Sequence, residues 1–150
     1  MAKFEIIVGS VLGASEYVAD ALQETLSSHS HQVNIHLSAN FSDLDQDATW
    51  IICTSTHGAG DLPDNIQPFA LQLKDHTLSQ LSSLVIGLGD SSYDTFCNGA
   101  IQLENSLLKA GAKLLYPALH IDVLNHPIPE EVAIVWLSDW LINNETYATK

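Results

Sequence analysis

The sequence predicts an α/β fold: a parallel sheet with helices on both faces. The prediction rests on two periodicities that alternate along the chain. Short apolar runs rich in β-branched residues recur as FEIIVG (Phe4–Gly9), QVNIHL (Gln32–Leu37), WIICTS (Trp50–Ser55), SLVIGLG (Ser83–Gly89) and LLYPALHI (Leu114–Ile121). Three of them are nearly continuous apolar stretches, the pattern of strands covered on both sides. Stretches of helical spacing separate them, and strand–helix alternation of this kind builds parallel sheets.

The helices follow in order. Ala14, Val18, Ala21, Leu22 and Leu26 fall on one stripe of a 3.6-residue helix. Ile66, Phe69, Ala70 and Leu73 mark the next, with Pro68 in its first turn, where a missing N–H costs little. Ala100, Leu103, Leu107 and Ala110 form a third stripe, closed by Lys109 and Gly111 as a C-terminal cap. Val132, Val135, Trp136 and Trp140 mark the last, opened by Pro129-Glu130-Glu131. Ala39–Thr49, with three aspartates, reads as a loop or a short helix.

Composition bounds the function. The 150 residues, 46% hydrophobic, are expected to form one domain spanning 1–150. Eighteen acidic residues against five lysines and no arginine give a formal charge of -13. Such a surface repels nucleic acid and anionic membranes and favours a partner with a basic face. No apolar run is long enough to span a bilayer. Met1-Ala2-Lys3 leads straight into FEIIV, so no signal peptide is expected. Cys53 and Cys97 are too few for a disulfide framework, and a cytoplasmic location is expected. Asn144-Glu145-Thr146 matches a glycosylation triplet by chance on this reading.

Ligands of open parallel sheets bind beyond the carboxyl ends of the strands. Six of the eight glycines gather there: Gly9 and Gly13, Gly58 and Gly60, Gly87 and Gly89. Gly9-Ser10-Val11-Leu12-Gly13-Ala14-Ser15 runs from strand end to helix start, where free N–H groups and the helix dipole attract anions. Yet no lysine or arginine occurs from Phe4 through Leu73. A nucleotide-triphosphate P-loop would need one more residue between its glycines and a lysine, and a dinucleotide fingerprint would need G-x-G-x-x-G. A phosphate cradle of neutral donors remains. Two further loops flank it. STHGAGDLPDN (Ser55–Asn65) carries His57, and GLGDSSYDTFCNG (Gly87–Gly99) carries Tyr93 and Phe96. Flat side chains on two adjacent loops can clamp a planar heterocycle, each stacked pair contributing roughly 0.5–1.5 kcal/mol beyond burial. Phe96 reads as mostly core, and Tyr93 alternatively as an ordinary surface tyrosine.

Four segments, GSVLGASEYVA, STHGAGDLPDN, GLGDSSYDTFCNGA and LHIDVLNH, in this order and spacing resemble the flavodoxin-like proteins. The likeness extends to MioC-type flavoproteins and the FMN domains of diflavin reductases. It implies a three-layer αβα fold, a five-stranded parallel sheet in order 2-1-3-4-5, FMN as cofactor, and one-electron transfer rather than stand-alone enzyme activity. It implies that Ser10, Gly13 and Ser15, with the amides of Val11, Leu12 and Ala14, hold the phosphate. Ser55, Thr56, His57 and Gly58 would face the flavin from one loop. Leu88, Gly89, Asp90, Tyr93, Phe96 and Cys97 belong to the second loop, Tyr93 being the stacking ring, and Asp122 approaches from the last strand. The peptide after Gly58 would turn over with the redox state. Partners implied are a basic-faced flavodoxin reductase as donor and an iron–sulfur or radical enzyme as acceptor, with biotin synthesis the associated pathway.

Three positions depart from the family pattern. Leu12 replaces a frequent threonine, His57 a larger aromatic ring, and Cys97 a frequent asparagine, so weaker FMN binding than in a typical flavodoxin is expected. Leu12 and His57 sustain the alternative, a non-redox interaction or regulatory module on the same fold that binds FMN weakly or not at all. Asp61, Asp64, Asp90, Asp94 and Asp122 lie in or near the loops. An aspartate ~8 Å from a reduced, anionic flavin at an effective dielectric of ~40 costs roughly 1 kcal/mol, or about 45 mV. Solvated turn residues and helix caps account for others of them. His29-Ser30-His31 and His120-Ile121-Asp122 with His126 match no zinc spacing. A receiver domain lacks its acidic cluster and lysine here, and a hydrolase lacks partners for Ser10 and Ser55.

Overall fold

The computed structural model describes residues 2–58 and 60–144. The last two members of the glycosylation triplet lie outside them. Ten elements follow one another: β1 (Lys3–Gly9), α1 (Ala14–Ser28), β2 (Gln32–His36), β3 (Thr49–Thr54), α2 (Gln67–Leu73), β4 (Ser82–Gly89), α3 (Asn98–Lys109), β5 (Lys113–Leu114), β6 (Leu119–Asp122) and α4 (Pro129–Asn143). Short 3₁₀ turns at Phe41–Asp43 and Asp64–Ile66 fill the connections after β2 and before α2.

All strand pairs are parallel, in the order β2-β1-β3-β4-β5, with β6 also on β4. The expected single strand Leu114–Ile121 is therefore a correction. It splits into β5 and β6, which occupy the fifth position one after the other. Pro117 has no N–H to give a ladder, and the interruption lets Tyr116 pack on Trp136 with ring centroids 5.4 Å apart. Resumption at β6 matters for the site, because it sets Asp122 beside Gly89.

Alternation along the strands divides the core into two layers. Phe4, Ile6, Val8, Ile51, Cys53, Leu84 and Ile86 face α1 and α4. Ile7, Trp50, Ile52 and Val85 face α2 and α3. Glu5 is the buried carboxylate of this second face, satisfied by Asn34 Nδ2 (2.7 Å), His36 Nε2 (3.0 Å) and the Asp45 amide (3.4 Å). Pro68 sits in the first turn of α2, as its position requires. Gly111 ends α3 at φ +99°: its amide donates to Leu108 O and that of Ala112 to Leu107 O, both at 3.0 Å. That pairing satisfies the last carbonyls of the helix.

Candidate cofactor site

The loop after β1 is held from three sides. The Gly9 carbonyl accepts the Ser55 amide (3.0 Å) and hydroxyl (3.4 Å). The Ser10 amide donates to Asn65 Oδ1 at 3.0 Å, and Asn65 Nδ2 donates to Val8 O and Leu37 O, both at 2.8 Å. The Gly13 amide donates to Ser10 Oγ at 2.9 Å, leaving that hydroxyl's proton for another acceptor. Gly13 itself is left-handed (φ +93°), and its carbonyl starts α1 by accepting from Glu16 and Tyr17.

What this leaves open defines the site. The amides of Val11, Leu12, Ala14 and Ser15 make no hydrogen bond among the described residues. Ser15 Oγ is buried without a partner at the same helix start. A buried polar group left unsatisfied costs about 1–3 kcal/mol, so the Ser15 hydroxyl, with the free amides beside it, suits a guest that accepts hydrogen bonds. The donors are neutral and the helix dipole supplies the attraction, which fits an anionic phosphate without a lysine. Val11 and Leu12 offer only their amides, for their side chains point to solvent, Leu12 being 94% exposed.

Beyond it, the loops after β3 and β4 enclose a cavity of about 250 Å³ lined by Thr56, Gly58, Gly89, Asp90, Tyr93, Thr95, Phe96 and Cys97. His57 and Asp61 exchange backbone hydrogen bonds at 2.7 and 2.8 Å, closing a tight turn that needs Gly58 at φ +54° and Gly60 at φ +106°. The loop after β3 is fastened to α3, into which the loop after β4 runs directly. Thr56 Oγ1 accepts the Gly99 amide (3.0 Å), and the Gly60 carbonyl accepts from Asn98 Nδ2 and Gln102 Nε2, each at 2.8 Å. Gly89 must be glycine, since a Cβ there would stand 2.8 Å from the Cys97 amide.

The expected site residues thus separate into groups. Ser10 to Ser15 lie in the loop between β1 and the first turn of α1, and Ser55 anchors that loop through the Gly9 carbonyl. Thr56, Gly58, Gly89, Asp90, Tyr93, Phe96 and Cys97 border the cavity. Tyr93 is 61% exposed, its ring free for a ligand. The half-buried Phe96 ring meets His120 edge-on at 6.4 Å. His57 is exposed on its turn and does not line the cavity, and the Leu88 side chain belongs to the core, leaving only its backbone. Burial, then the charge of Asp122, pushes the Cys97 thiol up to about 12. Asp122 accepts from the amides of Ser91 (3.3 Å) and Leu124 (3.1 Å) and from Asn125 Nδ2 (3.1 Å). Hydrogen bonding, that of the Ser91 side chain foremost, holds its carboxyl below the usual carboxylate range. It fastens the last loop to the second rather than lining the cavity. Asp90 likewise caps its own turn through the Ser92 amide at 2.8 Å. Asn65, Asn98 and Gln102 escaped sequence reasoning, because a positioning amide has no spacing rule.

Residues 6–136 match the sequence profile of the flavodoxin family. The chain belongs to that family. This flavodoxin-family chain is 41% identical over 143 residues to Protein MioC of Escherichia coli (strain K12), covering 94% of this chain and 97% of that protein. It is 37% identical over 144 residues to Flavodoxin YqcA of the same strain, covering 93% and 97%. Among solved structures, a cysteine-to-alanine mutant of flavodoxin from Pseudomonas aeruginosa superimposes with a TM-score of 0.85 at 36% identity, covering 92% of this chain and 95% of that one. No helix among the described residues is long and apolar enough to cross a membrane.

Proposed function

We propose that this flavodoxin-family chain binds FMN and carries single electrons between redox proteins, without a substrate of its own. The observation that carries the reading is the buried, partnerless Ser15 hydroxyl beside four free amides at the start of α1. That donor set suits a phosphate monoester. The adjoining cavity, with Tyr93 at its mouth, suits a planar ring. Bound FMN would supply a one-electron couple. The chain's own residues bind the phosphate through Ser10, Ser15 and the loop amides, and orient the ring between Thr56–Gly58 and Gly89–Cys97.

The charge of -13, and the absence of any lysine or arginine from Phe4 through Leu73, favour a donor reductase with a basic face. The acceptor proposed is an iron–sulfur or radical enzyme, and the narrower proposal, carried by the family resemblance alone, is one in biotin synthesis. Two free, buried cysteines suit the reducing cytoplasm.

The test is titration of the purified protein with FMN and, in parallel, with riboflavin, followed by quenching of flavin fluorescence. FMN binding that exceeds riboflavin binding at least tenfold supports the phosphate loop. Failure to bind either would sink the carrier and leave the interaction module.

A further inference from the structure

The geometry points to β2 and α1 as a docking groove for an extended, lysine- or arginine-bearing segment of a partner protein, which adds to the sheet as a further strand beside β2. β2 is the open edge of the sheet. The Gln32 amide donates to the Ala2 carbonyl, so in a parallel ladder Gln32, Asn34 and His36 direct their backbone groups toward β1. Those of Val33 and Ile35 point away from the sheet, and they make no hydrogen bond among the described residues. Natural edges are usually blunted by lysine, proline or a bulge. The β2 sequence, QVNIH, has no lysine or proline, and its pairing with β1 runs without a bulge.

An open groove of about 960 Å³ runs along this edge, walled by Val33 and Ile35 on one side and Glu16, Tyr17 and Asp20 of α1 on the other. Tyr17 is 66% exposed there, and Leu12 also lines the groove. Charge decides the occupant. Glu16 and Asp20 are the charged residues of the groove. On the opposite face of the edge, Lys3 is already paired with Asp45 at 3.1 Å and His36 with Glu5 at 3.0 Å. A second copy of a chain of formal charge -13 would bring like charges together; a basic strand would not. Spacing agrees as well. Glu16 and Asp20 are one helical turn apart, about 6 Å along α1. Alternate side chains on one face of a strand are about 6.6 Å apart, so basic residues at every second position can meet both carboxylates. The groove needs no cofactor, so docking there is independent of the FMN reading.

The test uses the full chain, with and without FMN, and an eight-residue peptide alternating lysine and threonine. Amide exchange and ¹⁵N shifts are followed by NMR. Expected are shifts at 32–37 and along the first half of α1, and amide exchange at Val33 and Ile35 slowed at least tenfold at saturation. Binding should weaken at least tenfold in Glu16→Lys/Asp20→Lys. Glu16→Gln/Asp20→Asn, which keeps side-chain size, should weaken it by a smaller factor and guards against misfolding of the reversal. A peptide with the same lysines in one block should bind less tightly. Unchanged exchange at Val33 and Ile35, shifts confined to the rim of the cofactor cavity, or equal binding of the two peptides would overturn the proposal. So would a peptide-free dimer that protects the same two amides.

Discussion

Asn65 ties the ends of two strands to the loop that follows the first: its Oδ1 accepts the Ser10 amide at 3.0 Å while its Nδ2 serves both Val8 O and Leu37 O at 2.8 Å. One side chain thereby fixes the outlet of β1, the end of β2 and the first amide of the loop that leads to α1. Asn65→Ala is expected to cost about 1–3 kcal/mol of stability and to weaken FMN binding at least tenfold, riboflavin binding much less. Urea denaturation and the two titrations check it. Equal losses for both flavins would mean that Asn65 shapes the ring cavity instead.

Ser15 should behave in opposite ways with and without ligand. Its hydroxyl is buried and unsatisfied in the free protein, so Ser15→Ala should leave the free protein as stable or up to about 1 kcal/mol more stable. The same change should weaken FMN binding several-fold. A destabilised free protein would show that the hydroxyl has a structural role.

His57 is exposed on the turn beside the cavity. It does not line the cavity, so His57→Ala should leave FMN affinity close to that of the wild type, and a large loss in the flavin-fluorescence titration would show that the ring reaches the bound flavin.

Burial pushes the Cys53 thiol up to about 12, against about 8.5 unfolded. The native state therefore keeps a proton that the unfolded chain releases. Stability from this group is complete below about pH 8.5 and is lost as pH rises toward 12, at about 1.4 kcal/mol per unit. The stability difference between the wild type and Cys53→Ala should shrink along that slope in denaturant titrations at stepped pH. A constant difference would contradict it.

Reduction by a basic-faced reductase should slow as ionic strength rises, because exposed charges are screened beyond about 8 Å at 0.15 M salt. Stopped-flow rates across a salt series test this. A flat profile would remove electrostatic steering.

The layers of the fold were legible because each strand repeats at period two and each helix at 3.6, and both signals survive in a single sequence. Pro68 and Gly111 were readable for the same reason: each has one conformational role, which the structure places at a helix start and a helix end. The break between β5 and β6 was not. LLYPALHI is apolar throughout, and the weight of Pro117 shows only against a neighbouring strand. Glycine positions located the three loops at one edge. They could not foretell that His57 lies on the outside of its turn, or that Leu88 turns its side chain into the core. Those outcomes depend on tertiary contacts such as the His57–Asp61 pairing. Asn65, Asn98 and Gln102 were invisible because their partners are main-chain atoms, which any sequence supplies.

The way both cavity loops join α3 has a mechanical meaning. Gly99, Asn98 and Gln102 grip the wall after β3, and the wall after β4 runs directly into the same helix. The two walls are jaws bolted to one bar. Their gap is set by the seating of α3 on the sheet, where Gly87 lies so close that a Cβ would stand 2.5 Å from that of Ala100. Thickness, more than edge chemistry, then becomes the first criterion a guest must meet, and a bulkier residue under α3 would widen the slot without touching either jaw.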